Sequence, residues 1–384
     1  MRSQSLSLAA LETPCLLVER GILECNIERM HERLRSGGVP LRPHLKTTKC
    51  VQIARLMIRG QPGGITVSTL AEAERFAAAG FRDVLYAVAM APNKLEHAAS
   101  LRRAGTALTL LIDNVQTARI ADAAATRAGI SFSVLIEIDV DGHRSGVVPA
   151  AEVLVPMAQA IDAIPGLELR GLLSHAGSGY DCDTVKGIAE AAELERVIMV
   201  DAARTLRAAG LPCAQISVGS TPTALTAPNY ADVTEVRAGV FAFNDLMQAR
   251  LGVCTPDDIA ITVLCTVIGH HAPQRRLIVD AGWTAVSQQS QLHQGTRIYG
   301  RICDVQGRLI EDLALTMLNQ EHGIVTRLSG RPIESAEYPV GTSLRILPVH
   351  ACATAAAHDR YHVLTAGTDA MEVWPRFGGW TVPD

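Results

Sequence analysis

The chain predicts a (β/α)8 barrel followed by a mostly β C-terminal domain. Apolar runs of strand length alternate with Ala-rich helical stretches between about residues 40 and 243. Most of these runs are apolar on both faces, as the strands of a buried parallel sheet are. Beyond about residue 255 the long helical patterns stop and short strand-like runs dominate. Eight strand–helix units within about 220 residues suit a barrel. An open doubly wound sheet is the alternative, but it would carry a GxGxxG turn after an early strand, and none is present.

Taken in order, residues 13–18 (TPCLLV) read as a short strand. Ile22, Ile27, Met30 and Leu34 then mark one face of a helix over 22–35. Barrel strands are expected at 40–46 (PLRPHLK), 64–70 (GITVSTL), 83–88 (DVLYAV), 107–113 (ALTLLID), 132–139 (FSVLIEID), 168–176 (ELRGLLSHA), 215–220 (QISVGS) and 235–243 (EVRAGVFAF). Helical patterns lie between them, as at 71–80, 115–128 and 183–210. Later strands are expected at 259–268, 276–279, 298–304, 312–318 and 343–348, separated by turn residues. The expected domains are residues 20–255, and residues 256–384 joined by 1–19.

The net charge of −4 and pI near 6.3 leave no basic field for nucleic acid and no polybasic segment for a membrane surface. No apolar run approaches the roughly 20 residues that a spanning helix needs. The N-terminus lacks an apolar signal core and a cleavage site, so a cytoplasmic protein is expected. The nine cysteines are odd in number and form no CxxC, which argues against a disulfide framework.

Barrel chemistry belongs at the C-terminal strand ends, and polar residues gather there. The first strand ends at Lys46, within RPHLKTTK. A lysine at the end of a buried strand loses solvation, which favours the neutral amine, the form that makes a Schiff base with pyridoxal 5′-phosphate (PLP). Lys46 and Lys49 would otherwise be surface lysines. Ser68 ends the second strand. His143 and Arg144 follow the fifth; they suit a solvated loop, or Arg144 could keep the cofactor's phenolic oxygen anionic. His175 ends the sixth, either as a core histidine or as a flat ring stacked on a pyridine. Gly219, Ser220 and Thr221 suit a phosphate: the glycine allows close backbone approach and the hydroxyls donate. Arg237 lies in an apolar strand and needs a partner, which could be a pyridine nitrogen, Glu235 or Asp245. In the second domain, His350 and Cys352 would point the same way on an extended segment and could share a metal, Zn²⁺ first.

In sequence order, RPHLKTTK, GITVSTL, DGHRSGV, SHAGSGY, SVGSTPT, EVRAGVFAFND, NQEHG and HACAT resemble the D-serine dehydratase and D-threonine aldolase group of fold-type III PLP enzymes. These share the architecture of alanine racemase. The resemblance runs from about residue 13 to about 365. It implies PLP on Lys46, a divalent metal (Zn, Mn, Co or Mg) on His350 and Cys352, and a homodimer. It also implies that His175 stacks on the ring, that Gly219, Ser220 and Thr221 bind the phosphate, and that Tyr180 lies near the cofactor. Arg237 stands where alanine racemase has the arginine facing the pyridine nitrogen. Many members carry a histidine where this chain has Thr48. The aldolases tend to carry an aspartate where it has Cys352, so the thiol favours dehydration.

The expected activity is dehydration of a D-3-hydroxy amino acid, such as D-threo-3-hydroxyaspartate or D-serine, to a 2-oxo acid and ammonia. Retro-aldol cleavage to glycine and an aldehyde is the alternative. Racemisation would need a second base and no metal. A non-catalytic PLP carrier would lack residues 255–384.

Overall fold

A computed structural model describes residues 8–367 and 371–381; parts of the expected second domain, residues 1–7, 368–370 and 382–384, lie outside them. The chain divides into two compact units. Described residues up to Glu28 join Val240–Gly378 in one, and Arg29–Gly239 makes up nearly all of the other. Both divisions fall inside the expected limits at residues 20 and 255, for a local reason. The helix α1 (Arg20–Ser36), which follows strand β1 (Cys15–Glu19), serves both units. Asn26 Nδ2 in its first half donates to Asp258 O at 2.7 Å, within the β-rich unit. His31 Nε2 in its second half lies 2.8 Å from Met57 O, within the barrel unit. At the other boundary, Ala260 N–H donates to Phe243 O at 2.8 Å, tying the segment after Val240 to the β-rich unit.

The barrel strands are β2 (Leu41–Pro43), β3 (Ile65–Val67), β4 (Asp83–Ala89), β5 (Ala107–Ile112), β6 (Phe132–Ile138), β7 (Leu167–Ser174), β8 (Gln215–Val218) and β9 (Glu235–Ala238). All pair in parallel, in the order β2-β9-β8-β7-β6-β5-β4-β3. A parallel bridge between His44 and Thr66 joins the two ends of that order and closes the ring. The connections carry α2 (Val51–Met57), α3 (Leu70–Ala78), α4 (Leu95–Arg103), α5 (Val115–Ala128), α6 (Ala151–Asp162), α7 (Val185–Ala208) and α8 (Thr221–Thr226). Side chains start several of them where the sequence offers a cap. Thr69 accepts from Glu72 N–H, Asn114 from Thr117 N–H and Thr184 from Gly187 N–H. Leu85, Leu111, Leu135 and Leu173, from β4 to β7, meet in a dry cluster. Burying each is worth roughly 1.5–3 kcal/mol.

The β-rich unit adds α9 (Leu246–Arg250), β10 (Ile261–His271), β11 (Arg276–Val279), β12 (Gln291–His293), β13 (Thr296–Ile298), β14 (Gly300–Cys303), β15 (Leu309–Leu318), β16 (Gly323–Arg327), β17 (Ser343–Pro348), α10 (Ala351–Ala356), β18 (Arg360–Leu364) and β19 (Met371–Pro375). Nine strands form one sheet, ordered β11-β16-β15-β14-β17-β10-β1-β18-β19. It is antiparallel except where β1 runs parallel to β18. The strands β12, β13, β16, β18 and β19 carry little apolar alternation of their own; sheet partners make them strands. Among the described residues no helix is long and apolar enough to cross a membrane.

Candidate active site

Strand β2 stops at Pro43, earlier than the apolar run suggests. His44 N–H donates to Ala238 O and Leu45 N–H to Thr66 O, both at 2.8 Å, and the chain then turns. Lys46 sits in that turn with its side chain exposed. This corrects the expectation of a desolvated lysine: the strand is too short to carry Lys46 into the barrel wall. Lys46 N–H donates to His44 Nδ1 at 3.4 Å, which puts the ring proton of His44 on Nε2. Burial, then the charges of Lys46, Arg237, His175 and Arg144, lower the His44 pKa well below its ordinary value, so the ring is neutral.

Lys49, three residues on, has the opposite environment. Its φ of +42° is left-handed, and its Nζ lies 3.1 Å from Glu72 Oε1, a carboxylate 1% exposed. The same carboxylate accepts from Ser68 N–H at 3.1 Å, Ser68 Oγ at 3.0 Å and Thr69 Oγ1 at 3.1 Å. Ser68, expected to face a cofactor, thus directs both donors to Glu72. The signal for Glu72 was present in the sequence as a capping box, Thr-x-x-Glu.

Around β6 and β7 the structure brings His175, Tyr180 and Arg144 together. The His175 and Tyr180 ring centroids are 6.3 Å apart, tilted by 44°. His175 Nδ1 donates to Gly219 O at 3.4 Å. Burial, then the charges of Arg144, Lys46 and Arg237, lower its pKa to about 3, so this ring is neutral as well. Arg144 is exposed, with Nη2 3.3 Å from Glu137 Oε1. Asp141 Oδ2 accepts from Ser178 N–H at 2.9 Å, tying the loop after β6 to the turn after β7.

Gly219 adopts a φ of +113°, and a Cβ there would lie 2.9 Å from Arg237 O, so only glycine fits. Ser220 caps α8: its N–H donates to Thr223 Oγ1 at 2.9 Å, and Thr223 N–H to Ser220 Oγ at 3.4 Å. Thr221, buried, begins the helix. Arg237 is 4% exposed, with Nη1 2.6 Å from Ser217 Oγ and Nη2 bonded to Ser174 O. Burial pushes its pKa down to about 10 against the pull of Glu235, Glu195 and Glu137. Glu235, one of its expected partners, instead accepts from Ser217 Oγ at 2.5 Å and Arg42 Nε at 2.7 Å. Asp245, the other, belongs to the β-rich unit.

In that unit, β17 ends at Pro348, His350 is extended (φ −132°, ψ 112°), and α10 starts at Ala351. Cys352 therefore stands in the first turn of a helix, which corrects the expectation of an extended His-x-Cys. Both side chains are partly accessible. Asp245, fully buried, accepts from Gln248 N–H at 2.9 Å through Oδ1 and from Ala351 N–H at 2.9 Å through Oδ2. It thereby fixes the residue between His350 and Cys352. Burial raises its pKa; those hydrogen bonds and the charge of His350 oppose the rise. Among the described residues, no group of three or more His, Cys, Asp and Glu side chains is arranged to hold a metal.

Sequence reasoning missed three residues here, His44, Glu72 and Glu195, and gave Asp245 a different partner. Glu195 is 2% exposed on the inward stripe of α7, between Ile188, Ala192 and Met199. A charged residue on an apolar stripe was its signal.

Two family models match the chain: the alanine racemase N-terminal domain over residues 18–246, and the putative serine dehydratase domain over residues 260–364. D-threo-3-hydroxyaspartate dehydratase of Delftia sp. (strain HT23) is 46% identical, over 97% of this chain and 99% of that one. D-serine dehydratase of Dictyostelium discoideum is 31% identical over 92% and 93%. D-threonine aldolase of Arthrobacter sp. is 30% identical over 96% and 92%. The solved structure of the Delftia enzyme superposes with a TM-score of 0.94 at 46% identity, covering 97% of this chain and 100% of that one. Structures of D-threo-3-hydroxyaspartate dehydratase also include a histidine-to-alanine variant and a cysteine-to-alanine variant in the metal-free form, altered at positions two residues apart.

Proposed function

Because the chain belongs to the family that joins an alanine racemase N-terminal domain to a serine dehydratase domain, we propose that it is a PLP- and divalent-metal-dependent dehydratase. Its substrate is a D-3-hydroxy amino acid such as D-threo-3-hydroxyaspartate or D-serine, and its products are a 2-oxo acid and ammonia. The observation that carries this reading is the exposed Lys46 amine at the end of the first barrel strand, in a chain related end to end to named dehydratases.

The donor set fits PLP. An accessible amine stands at the strand ends, with two neutral histidines and a glycine-led helix start in the same barrel. Lys46 is the anchor. Gly219, Ser220 and Thr221 would take the phosphate, His175 would stack on the ring, and Tyr180 would stand near it. Arg144 would serve the phenolic oxygen and Arg237 would close the pocket, while Ser68 keeps its donors on Glu72. His350 and Cys352 offer the imidazole and thiolate that suit Zn²⁺, and a two-residue donor set leaves positions for substrate or water. The spacing of the altered histidine and cysteine in the variants of the relative, one of them metal-free, supports that pair.

When bound, PLP takes up the charge left at Cα and the metal, as a Lewis acid, makes the 3-hydroxyl a better leaving group. Lys46 Nζ, freed by the substrate, accepts the α-proton. Its exposure favours this exchange, because the amine needs no uncovering. Neutral His175, donating through Nδ1 to Gly219 O, stays in place without adding a positive charge. Loss of the α-proton and the β-hydroxyl removes the elements of water; hydrolysis of the resulting enamine releases ammonia. From 3-hydroxyaspartate the keto product is oxaloacetate, and from serine it is pyruvate. We also propose a cytoplasmic homodimer, a location supported by nine cysteines outside any disulfide among the described residues.

The deciding experiment incubates the purified protein with D- and L-3-hydroxy amino acids, with and without chelator, and measures ammonia, 2-oxo acid, glycine and aldehyde together. Ammonia and 2-oxo acid in equal amounts, from D-substrates only and lost in chelator, are expected. Glycine and aldehyde would mean retro-aldol cleavage instead.

A further inference from the structure

Three donors converge on one oxygen beneath the candidate cofactor face. Glu195 Oε1 accepts from Ser174 Oγ at 2.8 Å, from Ala176 N–H at 3.2 Å and from Gly219 N–H at 3.2 Å. The first two donors flank His175; the third opens the Gly219-Ser220-Thr221 turn. Glu195 comes from α7, the helix between β7 and β8, so its side chain reaches the ends of both strands from outside the barrel. His175 Nδ1 closes the same loop by donating to Gly219 O. The network continues inward. Arg237 bonds Ser174 O and Ser217 Oγ, Ser217 Oγ donates to Glu235, and Arg42 joins Glu235 to Asp83.

We propose that Glu195 is the positioning residue that sets the ring-stacking His175 and the phosphate turn at Gly219 in register with each other. The inference rests on the PLP reading of this face. Its physical basis is that β7 and β8 end in turns whose N–H groups at Ala176 and Gly219 point at one carboxylate oxygen, not at each other. One buried carboxylate oxygen therefore ties the two turns together, beside the His175–Gly219 bond and the pairing of β7 with β8. A ligand that needs a phosphate cradle and a stacking ring together would sense a shift in either turn.

The test is Glu195→Gln, with PLP as the probe. The amide keeps an acceptor oxygen but loses the charge and brings an NH2 group to a place that offers donors. PLP affinity, read by equilibrium titration of the apoprotein, is expected to fall about 10- to 100-fold, the range typical of a supporting residue behind a ligand site. The visible circular dichroism of the bound cofactor should change as the ring loses its fixed pose, while the apoprotein melts within a few degrees of the parent. Glu195→Asp, which keeps the charge with a shorter reach, should recover part of the affinity. Unchanged affinity and dichroism in Glu195→Gln would overturn the inference. If that variant does not fold, Ser174→Ala, which removes only the hydroxyl donor, is expected to weaken PLP several-fold, and parental affinity there would overturn it equally. The parent protein and Lys46→Ala are titrated alongside. A parent that forms no lysine-linked chromophore with PLP refutes the cofactor reading itself, whereas a parent that binds normally and a Glu195→Gln variant that does the same refute only the role of Glu195.

Discussion

In the barrel, the candidate cofactor residues come from strand ends as far apart in sequence as Lys46 and Arg237; in the β-rich unit, His350 and Cys352 are separated by one residue. Yet both regions use the same device, a buried carboxylate holding backbone N–H groups beside the reactive side chains. Glu72 holds the Ser68–Thr69 turn and Lys49, Glu195 the turns after β7 and β8, and Asp245 the N–H groups of Gln248 and Ala351. A distributed site needs several such carboxylates because each strand end is a separate piece of chain. A local site needs one, because the chain itself already keeps His350 and Cys352 close. Lys46 and Lys49 show the same contrast on a smaller scale, one exposed and the other fixed against Glu72.

The largest expected effect is at Lys46. Lys46→Ala should lower activity by at least about 10³-fold and remove the visible band that forms when PLP is added; a borohydride-reducible band that survives would move the anchor elsewhere in the barrel. Cys352→Ala should strip the metal, counted by atomic emission on the purified protein. Its activity should drop by several orders of magnitude, since the lost Lewis-acid help is worth several kcal/mol, and full activity of the parent in chelator would break the metal role. Asp245→Asn tests whether one carboxylate serves the local site as Glu195 serves the distributed one. Metal affinity, measured by competition with a chromophoric chelator, should weaken about 10- to 100-fold, and parental affinity would end the parallel.

Smaller effects should follow from the supporting charges. Lys49→Ala leaves Glu72 buried with its hydrogen bonds but without its cation, and urea unfolding should show a loss of about 2 kcal/mol. A loss within experimental error would mean that the Ser68 and Thr69 donors alone satisfy the carboxylate. The histidines act only in acid. The fold lowers the His175 pKa from 6.5 to about 3, so the folded ring stays neutral where the unfolded ring takes a proton. This stability is whole above pH 6.5 and is lost as the pH falls toward 3, by about 1.4 kcal/mol per pH unit at most. His44 shifts in the same direction. Urea titrations at pH 7, 6 and 5 should show a flatter acid limb in His175→Asn than in the parent.

Much of the fold was legible because its signals are local. The run 115–128 matches α5, and 276–279 and 343–348 match β11 and β17. Strand ends could be located well enough to gather Lys46, Arg144, His175, Gly219 and Arg237 on one face. Their distant partners were not legible: Arg237 with Ser217 and Ser174, Glu195 with Gly219. Each of these bonds joins residues whose meeting depends on the path of the chain or on the exact end of a strand. The start of α10 at Ala351 was likewise hidden, since a His-x-Cys-x-Thr run has no strong preference between strand and helix.

By itself, then, the sequence determined the alternation that makes a barrel, the lysine near the end of its first strand and the His-x-Cys pair, because periodicity and spacing are properties of neighbours along the chain. Tertiary structure alone decided that Lys46 is exposed while Lys49 is paired, that both histidines near Lys46 are neutral, and that buried carboxylates from helices accept from N–H groups at the strand ends. Those outcomes depend on burial and on hydrogen bonds between distant segments, and both come into being only when the strands close into a ring.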